Sequence, residues 1–549
     1  MDAELAYLFR HALLREAAFQ LQLPGDRARL HAFVVEVMED IFGGRAPDSP
    51  WDPRGSWVFP PHPTDPFAHE LADHARLAGD SPAWRDLEAI YTRRAADLAG
   101  RQFRFKDACR LWLRHAELVS GLEQSESLRL AGRMEQAQGR IREAEALYRQ
   151  AVEGFRRAGH RRLEGIGLID VGCCCQESSR REEARTSFER GRDACLEAGD
   201  SGFAAQADGN LANLAREAGR LGEAEEAYLS LLKTFRATGD RLQESTVQSN
   251  LARVYHSTGR IALAEQASGS ALALARTIGN LPGVAWELNG QAFMLLETGR
   301  PVEAVAMAEE SLRMSRSMGN RVGEARALGL LAEIDRQSGR IDRSAALFME
   351  TLSLLAEIGD ARGAATTMLN FAGVRYLSGD ASEAVRLLER AIELFRACGD
   401  VTGEGAVLGN LASLRREAGD MVGARRDFEE SLRLSRRLGD RRGEGIRLGN
   451  LARLLHDIGD FEGAAKHYQE SLRLLGEIRD RLSEWEMACG AALNLLRLGR
   501  TLEARQLWVE SMSSLRTVRA APGIAGLVEE MRVACARAGV PPFEGDPPP

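Results

Sequence analysis

The chain has 549 residues, far more than one ordinary hydrophobic core, so it is either several domains or a repeat array whose core grows along its length. A formal net charge of -8, with basic residues scattered along the chain, excludes the positive stripe that a nucleic-acid backbone would require. Only three of the 72 basic residues are lysines, and no segment of about 18 apolar residues could span a bilayer.

The first elements are unlike the rest of the chain. Residues 1–41 are predicted as an N-terminal helical segment, carrying Phe9-Arg10-His11-Ala12-Leu13-Leu14-Arg15-Glu16-Ala17-Ala18-Phe19, Leu23-Pro24 and Arg29-Leu30-His31. This stretch resembles the segment after the nucleotide-binding domain in bacterial signal-transduction ATPases; it also reads as an amphipathic helical hairpin docked on the repeats. Residues 42–79 read as a Pro-rich connector, and between 42 and 67 Gly43-Gly44, Pro47, Pro50, Pro53, Pro60-Pro61, Pro63 and Pro66 predict an extended chain with little regular structure. Residues 80–122, with Phe105, Ala108, Trp112 and Ala116 at helical spacing, read as a degenerate leading repeat.

From residue 123 a turn signal returns every 40 residues, as Gly219-Arg220, Gly259-Arg260, Gly299-Arg300, Gly339-Arg340, Gly379-Asp380, Gly419-Asp420 and Gly459-Asp460, with Ser179-Arg180 filling one gap. A second glycine lies halfway, at Gly199, Gly239, Gly279, Gly319, Gly359, Gly399 and Gly439. Each period therefore holds two helices, ended by glycine and begun on Asp or Asn caps. Five residues after the first turn glycine stands alanine, from Ala144 to Ala504 with Ser344 the one departure, which marks a close helix crossing. Ten such repeats occupy 123–520; 521–540 is predicted as a capping helix and 541–549 as a disordered tail.

The order Asn450-Leu451-Ala452, Leu455, Gly459-Asp460-Phe461, Ala464, Tyr468, Ser471 resembles the tetratricopeptide repeat in its forty-residue form, as in the Pins and kinesin light chain families. The resemblance implies an all-α fold, a right-handed superhelical solenoid of antiparallel helix pairs, and a protein–protein interaction scaffold or sensor arm. With the N-terminal resemblance it implies a place in bacterial signal transduction. The alternative is the C-terminal regulatory part of a nucleotide-dependent or DNA-binding transcriptional regulator whose ATPase is on another chain.

No catalytic constellation accompanies the repeats. The lysines follow Phe105, Leu232 and Ala465, so no Gly-Lys-Ser/Thr phosphate loop exists and no enzyme activity or cofactor is expected. Cys173-Cys174-Cys175 diverge by roughly 100° each on a helix and cannot share a metal. Eight unpaired cysteines and the lack of a secretory start predict a cytoplasmic protein with reduced thiols, away from membranes and nucleic acid. One column remains: Asn210, Asn250, Asn370, Asn410 and Asn450 share a position on the first helix that, by the resemblance, faces the concave groove. Such amides either grip the backbone of an extended peptide or bridge helices within the solenoid. Arg216, Arg253, Arg416, Arg453, His256 and His456 add basic groups to the same face, favouring an acidic or carboxylate-bearing protein or peptide.

Overall fold

The computed structural model describes residues 24–48, 59–518 and 521–543, and among these every regular element is helical. Helix α1 spans Pro24–Ile41, α2 Ala68–Ala78, α3 Pro82–Arg101 and α4 Phe105–Leu118. Pairs follow without interruption: α5 Gly121–Ala137 with α6 Ile141–Arg157, α7 Arg161–Glu177 with α8 Arg181–Glu197, α9 Ser201–Glu217 with α10 Leu221–Thr238. Next come α11 Arg241–Ser257 with α12 Ile261–Thr277, α13 Leu281–Glu297 with α14 Pro301–Ser317, and α15 Arg321–Gln337 with α16 Ile341–Ile358. The last pairs are α17 Ala361–Leu377 with α18 Ala381–Cys398, α19 Val401–Glu417 with α20 Met421–Arg437, α21 Arg441–Asp457 with α22 Phe461–Glu477, and α23 Arg481–Arg497 with α24 Thr501–Val518. Helix α25, Ala521–Ala538, closes the series.

The chain divides into two compact units, Met1–Gln138 with Glu143–Gly167, and Gly139–Arg142 with Leu168–Pro549. In the first, Leu71, Ala75, Leu87, Tyr91 and Trp112 are buried together. The Tyr91 hydroxyl donates to Glu39 Oε1 at 2.8 Å, and Arg45 holds the same carboxylate at 3.0 Å. The expected connector over 42–79 needs correction: past Pro66 the residues Ala68, Leu71, Ala72 and Ala75 fall on one face and are buried, so Ala68–Ala78 is helix. The Phe9–Phe19 resemblance lies outside the described residues.

In the second unit each turn is closed by a residue in the left-handed region. At Gly219, φ is 78°, and the following amide of Arg220 returns to the Ala215 carbonyl at 2.8 Å, the bond that satisfies a free carbonyl at a helix end. The crossing alanines Ala184, Ala224, Ala264, Ala304, Ala384, Ala424, Ala464 and Ala504 are fully buried. Ser344, which replaces alanine, is buried too, and its hydroxyl donates to the Ala332 carbonyl at 2.7 Å, so the extra oxygen is satisfied where a larger apolar group would not fit. Serines recur at a second close approach: Ser311, Ser431 and Ser471 donate to the carbonyls of Ala285, Gly405 and Gly445 at 2.8, 2.6 and 2.6 Å. These bonds tie the second helix of a pair to its own first helix.

First helices of neighbouring pairs pack directly on one another, α13 on α15 and α21 on α23, more closely than second helices do. The array therefore curves with the first helices inside. Helix α25 packs on α23 in the place of one more first helix. Part of the expected tail also packs: Phe543 is buried in a cluster with Met531 and Cys535.

Candidate functional site on the concave face

The asparagine column divides into two kinds. Asn250 is buried and its Oδ1 accepts from Arg253 Nη2 at 2.5 Å, while Asn210 Nδ2 lies 3.8 Å from Cys173 Sγ on the preceding first helix. Asn370 and Asn410 are exposed, Asn450 is half-buried, and none of the three has a hydrogen-bond partner among the described residues. The basic groups divide likewise. Arg453 reaches Glu530 on α25 at 2.8 Å, Arg416 pairs with Asp457, and His456 Nδ1 meets Asn494 Oδ1 at 2.9 Å. Arg216, Arg253 and His256 instead converge on one cavity.

That cavity, of about 510 Å³, lies between α11, α13 and α15. Its apolar side holds Trp286, Phe293, Met294 and Leu330, and both aromatic rings are about half exposed. Arg326 stacks over the Trp286 ring at 4.5 Å from its centroid. Asn289 Oδ1 and Arg216 Nε are buried without a hydrogen-bond partner among the described residues. Neither Arg253 nor Arg326 forms a salt bridge among the described residues, so the cavity presents guanidinium groups beside apolar surface, with the Glu287 carboxyl near Arg253. Sequence reasoning missed Trp286, Phe293 and Arg326. Their signal was departure from the repeat: Trp286 stands where the neighbouring first helices carry Thr246 and Arg326, and Phe293 where they carry Arg253 and Glu333, while Gly290 and Leu330 interrupt the asparagine column beside them.

Glu287 lines the same cavity and is buried, which pushes its carboxyl up to about 7 despite a hydrogen bond from Ser249 and the nearby charge of Arg253. The folded state thus holds this proton more tightly than the unfolded chain, whose carboxyl titrates at about 4.3. Stability from this group is complete below about pH 4.3 and is lost as pH rises through about 7, by roughly 4 kcal/mol in all. Glu287→Gln should accordingly melt with wild type near pH 4 and clearly above it at pH 8. Parallel melting curves at both pH values would sink this account.

A tetratricopeptide repeat family model matches residues 123–197, 203–277, 323–397 and 404–477. No curated protein matches the sequence. Among solved structures, BtubC (BKLC) from P. vanneervenii is 18% identical with a TM-score of 0.30, over 44% of this chain and 91% of that chain. A Podospora anserina putative kinesin light chain with nearly identical TPR-like repeats is 17% identical with a TM-score of 0.30, over 34% of this chain and 93% of its own. The Rap conjugation gene regulator of plasmid pLS20, in complex with the Phr* peptide, is 11% identical with a TM-score of 0.43, over 61% of this chain and 95% of its own. No described helix is long and apolar enough to cross a membrane. With its family matches covering more than half of the residues and its helices paired in a forty-residue rhythm, the chain belongs to the tetratricopeptide repeat family, whose fold is a protein–protein interaction scaffold.

Proposed function

We propose that the concave face captures an extended protein segment bearing carboxylates, as a cytoplasmic scaffold or sensor arm of bacterial signal transduction. The observation that carries this reading is the run Asn370, Asn410 and Asn450: three amides in successive repeats, each without an internal partner among the described residues. An amide both donates and accepts, so a row of them at helix-packing spacing, roughly 10 Å, can bond either an N–H or a C=O of an extended backbone at about every third residue. Farther along the face, Arg216, Arg253 and Arg326 supply positive charge beside Trp286 and Phe293, where a carboxylate next to an apolar side chain would be held.

Replacing Asn370, Asn410 and Asn450 together by Ala should leave the melting temperature unchanged, because no described internal bond is lost. Binding should weaken about tenfold or more, each lost hydrogen bond contributing roughly 0.5–1.5 kcal/mol. Melting curves come first, then capture from lysate with both proteins and titration of whatever only the wild type retains. A large drop in melting temperature, or equal capture by both, would end this reading.

A further inference from the structure

Edges of the array that are more than 180 residues apart in sequence touch. Ser179 Oγ lies 2.9 Å from Thr402 Oγ1 and donates to Asp400 Oδ1 at 3.3 Å, across 221 residues of chain. Arg181 donates to the Leu438 carbonyl at 3.1 Å and stands 4.0 Å from Asp440. Arg362 bonds Asp400 at 2.7 Å and stands 3.9 Å from Glu177. Beside them, a Cβ added to Gly219 would meet Ile478 Cδ1 at 2.8 Å.

The repeats themselves supply the control for this contact. Asp400 and Asp440 cap the first helices α19 and α21 and are 3 and 8% exposed, whereas Asp240, the same cap on α11, is exposed and Asp200 is half-buried. Ile478 is 4% exposed and its repeat counterpart Ile278 is 37% exposed. The residues are equivalent along the chain, so the added burial comes from the far edge. The described turns of this unit also contain two residues other than glycine in the left-handed region, Ser179 and Arg479, both at φ 59°. Both stand at this contact, and in Ser179 the strained backbone carries the hydroxyl that makes it.

Where the edges meet, the concave groove is no longer open along its side. It encloses a cavity of about 700 Å³ whose lining includes Glu177, Arg181, Arg216, Arg362, Asp440 and Arg442. Several of these groups therefore serve the contact and the interior together. The described hydrogen bonds and ion pairs across the contact are polar, and Ile478 packed against Gly219 adds an apolar approach beside them. Arg362 and Glu177 are both partly exposed, so that pair is weak and exchanges readily with competing charges, whereas Arg181 and Asp440 are largely buried.

We propose that this seam is a clasp closing the groove into a lumen, and that an extended acidic segment enters by placing its own carboxylates on Arg362 and Arg181 in exchange for Glu177 and Asp440. The inference rests on the concave face being the binding face. It makes access a separate step from recognition: high salt loosens the clasp, and a covalent lock keeps the segment out.

The test locks and unlocks the seam in the full chain. Ser179→Cys with Thr402→Cys places two thiols where side chains already touch, and Ile478→Asp puts a charge beside Gly219 without altering either arginine. The probe is a fluorescein-labelled decapeptide of alternating Glu and Leu, with association followed by stopped flow and the seam turns by hydrogen exchange. The oxidised double variant should bind at least tenfold more slowly than its reduced form, with slower amide exchange at residues 178–181 and 399–402. Reductant should reverse both, and Ile478→Asp should exchange and associate faster than wild type. Identical exchange and association with and without the disulfide would overturn the clasp, as would failure of the two thiols to oxidise. Exchange that responds to the lock while no form binds the peptide would overturn the acidic ligand instead and leave the opening seam standing.

Discussion

Removing residues 300–339 leaves a helical protein with a cooperative melt, whereas removing residues 300–319, half as many, leaves a chain that does not fold. The longer deletion takes out α14 and α15 and joins Gly299 to Arg340, so that α13 is followed by α16 through the turn that α14 used before. Every remaining first helix still has a second helix to cover its apolar stripe. The shorter deletion takes out α14 alone and sets two first helices in succession. Leu296, Leu331 and Ile334 then lose their cover, together with Ala292. At roughly 1.5–3 kcal/mol for each large side chain the loss is about 5–9 kcal/mol, comparable with the whole net stability of a typical domain at ~5–15 kcal/mol. Circular dichroism and melting of the two deletions decide the matter. Equal damage from both would mean that the forty-residue unit is not the unit of folding.

Ala424→Phe should destabilise the protein by about 3 kcal/mol, at the upper end of the ~1–3 kcal/mol typical of overpacking. Ala424 is fully buried in a cluster with Ala412, Phe428 and Leu432, at the crossing where the array otherwise admits only alanine or the hydrogen-bonded Ser344. A ring there has no rotamer that avoids the neighbouring helix, so α20 would have to move and open the contacts that Phe428 makes. Val422→Phe, two residues earlier at a highly exposed position, is the control and should melt with wild type. A drop shared by both variants would point to the helix itself and away from the crossing.

What could be read from the sequence is what repeats. Glycine at the left-handed turns and alanine at the crossings recur because every pair meets the same backbone constraint, and the period follows from them. The misread stretch was the one that does not repeat: prolines up to Pro66 drew attention away from Ala68, Leu71, Ala72 and Ala75, whose helical spacing was plain. Side-chain partnership was harder. Asn250 and Asn410 occupy the same station, yet one is bound to Arg253 and the other has no described partner, a difference set by neighbours and not by the column. Arg453 looked like a free basic group until α25 brought Glu530 to it. The seam was illegible for the same reason. Asp400 and Asp240 are identical caps in sequence, and only curvature accumulated over many pairs brings one of them against Ser179.

Arrays of this kind lengthen and shorten in inheritance by whole units, because a duplicated or lost unit disturbs only its immediate neighbours. The bond between Ser179 and Asp400 removes that licence over the 221 residues it spans. A chromosome that gained one copy within the arc would still encode a protein that folds, yet Ser179 would arrive one station away from its present partner and the ring would fail to close. Between those two residues the number of copies decides whether Ser179 meets Asp400 at all.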